Sequence, residues 1–335
     1  MKALVTGGGG FLGQAVVRLL RARGDAVRSF SRRPHPELAA LDVEHCLGEL
    51  TDAPALAAAA KGCDIVFHIA AKAGVWGAHA DFYRANVVGT RNVLAACRQY
   101  DIGKLVYTSS PSVVFDGSDM EGVDESIPYP RHFDASYPAT KAEAERLVLA
   151  ANSASLATVA LRPHLIWGPG DNHLAPRILA RGRAGALRRI GNRPCLVDTI
   201  YIDNAAEAHL QAADRLVAGS PPAGRAYFLA QGEPKPLWEI VNRILAAGGL
   251  PPVRRSISPA AAYRIGWLLE KIYGGLRLSG EPRLTRFVAR ELSTAHWFDL
   301  SAARRDFGYA PRVSFDEGMA RLERWLAAGP PPQSE

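Results

Sequence analysis

Val5-Thr6-Gly7-Gly8-Gly9-Gly10-Phe11-Leu12-Gly13 is the stretch that decides the fold of this 335-residue chain. An apolar run precedes it and a segment with helical spacing of apolar residues follows it, so the sequence predicts a strand, a glycine turn and a helix. Three glycines permit a tight turn, a close approach to a diphosphate and close helix packing: Gly7, Gly10 and Gly13. The start of the helix, at Phe11 and Leu12, would offer free N–H groups to phosphate oxygens. The stretch therefore predicts a dinucleotide-binding site.

Apolar strands alternate with amphipathic helices along the following residues. Strands are predicted over residues 26–30, 64–71, 104–108 and 158–162. This alternation is typical of an α/β fold with a doubly wound, mostly parallel sheet of the Rossmann type. We predict a dinucleotide-binding core over residues 1–168 and a smaller α/β substrate-binding region over residues 169–335. Elements around residues 196–217 are expected to return to the core.

Composition excludes several classes of protein. The net charge is +7, but Lys and Arg are interleaved with Asp and Glu, so we expect no nucleic-acid partner. The four cysteines have no C-x-x-C spacing, and no metal site is expected. Because the first predicted strand begins near residue 3, we expect no signal peptide and a cytoplasmic protein.

The end of the second predicted strand bears on cofactor choice. Ser31, Arg32 and Arg33 follow it, about 20 residues beyond the glycine turn, where NAD enzymes place a carboxylate against the ribose 2′-hydroxyl. There is no acid here, and guanidinium groups bind a phosphate bidentately. The sequence therefore favours NADP(H) over NAD(H); the alternative is that the arginines only coat a surface turn.

Tyr137 and Lys141 are the residues with the clearest chemistry. They are four positions apart and share one face of a predicted helix. A neighbouring ammonium favours a phenolate, so a tyrosine placed in this way can exchange a proton with a carbonyl oxygen during hydride transfer. Ser110 is the preferred residue to orient that oxygen, with Ser109 and Ser112 as alternatives.

Three further features allow more than one interpretation. His68 lies inside a predicted buried strand and is interpreted as a core histidine rather than a catalyst. A concentration of arginines can be either a solvated basic face or an anion clamp; it comprises Arg177, Arg181, Arg183, Arg188, Arg189 and Arg193. The aromatic, amphipathic segment over residues 260–275 is too short and too charged to span a bilayer. It is a core or dimer helix, a lid over a lipid-like substrate, or a helix on a membrane surface.

Taken together, these motifs resemble the extended short-chain dehydrogenases/reductases, and within them the 3β-hydroxysteroid dehydrogenase-like branch. The resemblance adds Asn86 and Arg162-Pro163 with Gly168-Pro169-Gly170-Asp171 to the residues above. It implies that Tyr137 is the general acid/base, that Lys141 modulates it, that Ser110 orients the substrate and that Asn86 fixes a helix in the proton relay. It also implies cofactor contacts from Glu49, Leu50, Ala70, Ala71, Lys72, Pro163, Leu165 and Ile166. The family often has Asp at the position of Glu49.

A narrower resemblance is to the bacterial reductases that act on 2-alkyl-3-oxoalkanoic acids in long-chain olefin biosynthesis. It is carried by residues 70–77, 165–173 and 201–204. It implies NADPH-dependent reduction of the 3-oxo group of a long-chain acid, and partner enzymes in a multi-enzyme assembly. We also expect a homodimer and contact with a membrane surface. The alternatives are a 3β-hydroxysteroid dehydrogenase, an NAD-dependent nucleotide-sugar epimerase or dehydratase, and an NADP-sensing protein without turnover.

Overall fold

The computed structural model describes residues 1–329, so the last six residues of the predicted region 169–335 lie outside it. The strands are β1 (Lys2–Thr6), β2 (Ala26–Ser31), β3 (Glu44–Leu47), β4 (Ile65–His68), β5 (Lys104–Thr108), β6 (Met120–Val123), β7 (Ala157–Pro163), β8 (Ile166–Trp167), β9 (Arg189–Ile190), β10 (Leu196–Val197), β11 (Ile200–Tyr201), β12 (Arg225–Leu229), β13 (Lys235–Pro236), β14 (Ser256–Ile257) and β15 (His296–Phe298). The helices are α1 (Phe11–Ala22), α2 (Pro36–Ala39), α3 (Ala53–Ala60), α4 (His79–Phe82), α5 (Gly89–Gln99), α6 (Ser136–Ala150), α7 (Leu174–Arg183), α8 (Ile202–Arg215), α9 (Leu237–Ala247), α10 (Pro259–Gly275), α11 (Arg286–Glu291), α12 (Ser301–Phe307) and α13 (Phe315–Ala328).

Seven of these strands form the central sheet, in the order β12-β7-β5-β4-β1-β2-β3. Every pairing in it is parallel. The strand order reverses direction between β1 and β4, and in such sheets ligands bind in the crevice outside the carboxyl ends of the strands at that point. The predicted fold class, a Rossmann-type doubly wound sheet, is confirmed.

The central strands are buried on both faces because helices cover both sides of the sheet. Successive residues of β1 show the alternation: Leu4 packs into one apolar core and Val5 into the other. His68, at the end of β4, is 1% exposed and is bound on both ring nitrogens by the hydroxyls of Thr6 (2.8 Å) and Thr90 (2.9 Å). It is a satisfied core histidine.

Two elements after residue 168, β12 and α8, pack against the predicted dinucleotide-binding core. β12 pairs with β7 at the edge of the central sheet, and α8 packs on α1, where Arg23 binds Asp214 at 2.8 Å. Conversely, β6 precedes residue 168 but joins a second sheet whose other strands follow it, in the order β13-β10-β15-β6. β6 lies in a stretch over residues 113–134 whose Pro and Gly content predicts only a loop. Its partner β15 is distant in sequence, so local composition does not reveal this strand.

The predicted amphipathic segment over residues 260–275 forms α10. The Ser258 hydroxyl caps this helix by accepting the N–H of Ala261 at 3.2 Å. One face of α10 packs on α11. Within residues 1–329, no helix combines the length and the apolar content that crossing a membrane requires.

Candidate active site

The glycine turn between β1 and α1 has no room for side chains. Gly7 has a φ of +73°, and a Cβ there would lie 3.0 Å from the Cα of Ala70. A Cβ on Gly13 would lie 2.0 Å from the carbonyl oxygen of Gly7. The first N–H groups of α1, at Phe11 and Leu12, have no partners inside the helix. The turn therefore fits the diphosphate of a dinucleotide, which backbone N–H groups would hold.

The adenosine end of the crevice lies beyond β2 and β3. Arg32, together with Gly48 and Glu49, lines a shallow cavity of about 600 Å³ there. The Ser31 hydroxyl donates to the carbonyl oxygen of Arg33 at 2.9 Å and shares a hydrogen bond with His45 at 2.8 Å. Arg32 and Arg33 are exposed, and neither forms an ion pair within the described chain. Arg32 is therefore placed to bind an anion, whereas the Ser31 hydroxyl is already bonded to Arg33 and His45.

Two histidines at this end were not found from the sequence. The ring of His35 lies against the glycine turn, since a Cβ on Gly9 would be 2.0 Å from it. The rings of His35 and His45 are 5.9 Å apart, and burial, followed by the charge of His35, lowers the pKa of His45. The only sequence signal was that His35 lies two residues after Arg33, between two prolines.

Of the other predicted cofactor contacts, those after β4 lie closest to the glycine turn. The N–H of Ala70 donates to the carbonyl oxygen of Thr6 at 3.1 Å, which places Ala70 and the following Ala71 at the end of β4. The N–H of Lys72 donates to the side chain of Asn86 at 2.7 Å. The Lys72 ammonium pairs with Asp81 at 3.2 Å. The backbone N–H groups of Ala70 and Lys72 therefore hold the chain after β4 in place. The Lys72 side chain is directed to Asp81.

The remaining predicted cofactor contacts differ from one another in exposure and in position. Glu49 is exposed, but Leu50 packs against Gly89 of α5, where a Cβ would lie 2.7 Å from its side chain. Pro163 ends β7, and Leu165 follows it with a φ of +45°, a left-handed conformation that turns the chain. Ile166 then pairs with β11. The turn over residues 163–166 lies at the carboxyl end of the sheet, as cofactor contact requires.

Asn86 lies in a π-helical turn over Tyr83–Val88. Such turns occur often at functional sites. The Asn86 side chain is 2% exposed, and its Nδ2 donates to the Lys72 carbonyl at 3.1 Å and to the Thr140 hydroxyl at 3.0 Å. Asn86 therefore connects the chain after β4 to α6, one residue before Lys141.

Lys141 is buried beneath Tyr137 on the same face of α6. Its Nζ donates to the carbonyl oxygen of Thr108 at 2.6 Å and lies 4.1 Å from the centre of the Tyr107 ring. Burial lowers the pKa of Lys141 to about 7, and the charge of Glu145, one turn further along the helix, opposes this shift. Burial therefore disfavours the charged form of Lys141, and Glu145 favours it.

Tyr137 meets Ser110 across the cleft. Burial raises the pKa of Tyr137 to about 12; a hydrogen-bonding interaction with Ser110 opposes the rise and the charge of Glu291 adds to it. Ser110 Oγ also lies 2.9 Å from Ser112 Oγ. Ser109 is 4% exposed and lies next to Glu145 instead. Of the three candidate serines, the structure places Ser110 beside the tyrosine.

Glu291 is a titratable group of this site that the sequence did not reveal. It ends α11, which is held over the cleft by an ion pair of Arg290 with Asp134 at 2.6 Å and by the packing of Phe287 on Phe115. Burial raises the pKa of Glu291 to about 8. A carboxyl group whose pKa is raised therefore lies near Tyr137. Its distance in sequence from Tyr137 left no local signal.

The arginine concentration over residues 177–193 does not form one site. Arg177 pairs with Glu281, and Arg193 pairs with Asp119. Arg188 and Arg189 donate to nearby backbone carbonyls. Burial, and then the charges of Arg177 and Arg283, lower the pKa of Arg181, which has no acidic partner within residues 1–329. Most of these side chains therefore support the local structure.

The site brings a proton donor close to the glycine turn that fits a dinucleotide. Tyr137, Lys141, Ser110 and Asn86 are assembled near the carboxyl ends of β4 and β5, next to the glycine turn. Within residues 1–329 there is no group of three or more His, Cys, Asp or Glu side chains that could hold a metal ion. The arrangement can therefore exchange a proton with an oxygen beside a hydride donor.

Comparison with known proteins gives a consistent family. The model of the 3-beta hydroxysteroid dehydrogenase/isomerase family matches residues 4–257. The chain is 54% identical to a 2-alkyl-3-oxoalkanoate reductase of Stenotrophomonas maltophilia, over 98% of this chain and 100% of that protein. It is 50% identical to a protein of the same name from Shewanella oneidensis, over 97% of this chain and 86% of that protein.

The fold is also similar to that of solved structures. One is MoeE5 in complex with UDP-glucose and NAD, with a TM-score of 0.74 and 25% identity, covering 98% of this chain and 99% of that chain. The shared architecture therefore extends to proteins crystallised with a nucleotide sugar.

Proposed function

This chain belongs to the 3-beta hydroxysteroid dehydrogenase/isomerase family of extended short-chain dehydrogenases/reductases, and on that premise we propose that it reduces the 3-oxo group of a long-chain 2-alkyl-3-oxoalkanoic acid. The product is the 3-hydroxy acid, and the proposed role is in the biosynthesis of olefin hydrocarbons. As a member of this family the chain is a nicotinamide-dependent oxidoreductase. NADPH is the form of the cofactor that we propose.

One observation carries the proposed substrate. The 54% identity to a 2-alkyl-3-oxoalkanoate reductase extends over the whole of that protein. It therefore includes the region after residue 168 in which substrate specificity is expected, as well as the glycine turn that the whole fold class shares. The partly exposed Ser110 and Tyr137 supply the polar groups that a ketone oxygen requires.

In the proposed reaction the residues of the chain act on the oxygen of the substrate. NADPH, when bound on the glycine turn, supplies the hydride. Tyr137 donates its proton to the carbonyl oxygen while Ser110 holds that oxygen by a hydrogen bond. Charged Lys141 favours the phenolate that remains. Asn86, through Thr140, keeps the helix that carries both residues in position.

The proposal is tested with purified full-length protein and three classes of substrate: a 2-alkyl-3-oxo acid, a 3-oxosteroid and a UDP-sugar. We expect NADPH oxidation with the 3-oxo acid and formation of the 3-hydroxy acid, identified by mass spectrometry. Turnover of the steroid alone would assign the chain to the steroid dehydrogenases. Conversion of the UDP-sugar with tightly retained NAD would assign it to the epimerases.

The preference for NADPH is expected to depend on Arg32. Replacing Arg32 with Ala removes the guanidinium that lines the adenosine-end cavity, and a hydrogen bond to a charged group contributes about 1.5–3 kcal/mol. We therefore expect kcat/KM with NADPH to fall about 10- to 100-fold and that with NADH to change little. Steady-state kinetics with both cofactors measure the ratio. Arg98→Ala, an exposed arginine at the end of α5, is the matched control; an equal loss with both cofactors would refute the proposed 2′-phosphate contact.

A further inference from the structure

α10 is fixed to the rest of the chain along one narrow face. Gly266 packs so closely on α11 that a Cβ would lie 2.7 Å from the carbonyl carbon of Thr285. The carboxylate of Glu270 accepts the N–H of Arg286 at 2.7 Å and its Nε at 2.6 Å. The helix therefore has a defined inner face and a defined outer face.

The outer face of α10 is apolar. Ile265, Leu268, Ile272 and Leu276 are spaced to form one stripe along the helix, and they are 44%, 52%, 39% and 69% exposed. Of the nine large hydrophobic side chains that are exposed within residues 1–329, six lie in the segment over residues 265–278. This concentration marks the outer face of α10 as an interaction surface, because single exposed hydrophobic residues are ordinary but clusters are not.

The segment that contains α10 has uncompensated positive charge, and Arg264 and Lys271 are on the helix itself. The segment over residues 254–283 contains two acids, and both are in ion pairs: Glu270 with Arg286 and Glu281 with Arg177. Its six exposed cations have no ion-pair partner in the part of the chain that the structure describes: Arg254, Arg255, Arg264, Lys271, Arg277 and Arg283. A partner for this surface must therefore combine an apolar phase with negative charge.

We propose that α10 docks the protein on the surface of a bilayer that contains anionic lipids. The helix lies in the plane of the interface, with the stripe in the acyl boundary and Arg264 and Lys271 among the headgroups. Negative lipid headgroups attract basic residues near the surface, and the apolar stripe supplies the hydrophobic contact.

A second copy of the chain fits this surface less well. An antiparallel helix pair centred between Trp267 and Leu268 would bring Arg264 of each copy alongside Lys271 of the other. Like charges in that position disfavour association. Anionic lipid matches both the stripe and the cations.

The inner face of α10, opposite the docking surface, adjoins the candidate active site. A cavity of about 470 Å³ extends from Glu270 of α10 and Trp76 to Ser136 and Ala139, which flank Tyr137 in α6. A docked protein would therefore hold this cavity near the lipid. Passage of an alkyl chain from the bilayer into the cavity rests on the proposed function, but docking itself does not.

Docking is measured by co-sedimentation of the full-length protein with phosphatidylcholine vesicles, with and without about one third phosphatidylglycerol. We expect binding to the anionic vesicles to be at least about tenfold stronger, and to weaken at high salt. Leu268→Gln with Ile272→Gln, and separately Arg264→Glu with Lys271→Glu, should each lower binding at least about tenfold. Val217→Gln and Arg98→Glu are matched controls, since Val217 is exposed at 53% and lies outside the segment.

Measurements of folding and turnover accompany the vesicle-binding experiment. Thermal melting shows that the exposed substitutions preserve the fold, and turnover of a short, water-soluble 3-oxo acid should be unchanged in them. Vesicle binding requires no substrate, so its outcome is independent of the proposed reaction. Equal binding of the variants and the wild type, or no preference for anionic vesicles, would overturn the proposal. Loss of a dimer in light scattering, with no vesicle binding by the wild type, would assign the surface to a second copy instead.

Discussion

Tyr137→Phe is expected to lower kcat for ketone reduction by about 10²- to 10⁴-fold while leaving the fold intact, since general acid catalysis by a positioned side chain contributes an effect of that size. The substitution removes only the hydroxyl oxygen. The pKa of Tyr137 is raised to about 12 by burial, so the wild-type hydroxyl holds its proton at neutral pH and is in the form that a reductase needs. Single-turnover measurements of NADPH oxidation report the chemical step.

Tyr100→Phe is the matched control for this experiment. Tyr100 follows α5 and its hydroxyl accepts only the side chain of Gln99, at 3.3 Å, so its loss should change kcat less than about twofold. Thermal melting of both variants should resemble that of the wild type. A Tyr137→Phe protein that keeps kcat within about tenfold of the wild type would show that another group supplies the proton.

Glu145→Gln is expected to cost about 3–5 kcal/mol of unfolding free energy, because it leaves the guanidinium of Arg162 buried without a charged partner. The two side chains are 0% and 3% exposed. Arg162 donates from Nε to Oε2 at 3.0 Å and from Nη2 to Oε1 at 2.6 Å, and the Tyr129 hydroxyl donates to the same Oε1 at 2.6 Å. Burial alone would raise the pKa of Glu145, but the hydrogen bonds and charge of Arg162 hold it below its usual value.

Urea unfolding followed by circular dichroism measures this cost. The exposed pair of Arg243 with Asp316, 2.7 Å apart, provides the control: Asp316→Asn should cost about 0–1 kcal/mol. Replacing both buried residues, as Glu145→Leu with Arg162→Met, should cost less than Glu145→Gln alone because no charge is left unpaired. A Glu145→Gln cost no larger than that of Asp316→Asn would show that Arg162 finds another partner.

The parts of the site that follow from sequence are those defined within one or two turns of chain. The glycine turn needs only the strand before it and the helix after it, and the Tyr137–Lys141 pair needs only one helix. The Rossmann sheet was predicted because continuous apolar runs, typical of buried parallel strands, alternate with amphipathic helices along the sequence. The core role of His68 followed from its place inside such a run.

The parts that sequence left open depend on contacts between distant residues. β6 is a strand because it pairs with β15, and Glu291 belongs to the site because Arg290 holds α11 to Asp134. The arginines over residues 177–193 are close in sequence but are directed to different partners, including Glu281 and Asp119. The ion pairs with Glu281 and Asp119 leave no pattern in the sequence near the arginines. The spacing of the arginines alone therefore could not show whether they bind one anion or separate acidic side chains.

The place of β12 at the edge of the central sheet also sets the timing of folding during synthesis. β7 ends at Pro163 and β12 ends at Leu229, 229 − 163 = 66 residues later. At translation rates of about 5–20 residues per second, the ribosome needs about 3 to 13 seconds to supply that segment. Until then the β7 edge and the apolar face of α1 that α8 covers remain open to chaperones or to aggregation. A fragment that ends at residue 168 would keep both surfaces exposed permanently, so we expect the nucleotide-binding half to need the remainder of the chain in order to fold.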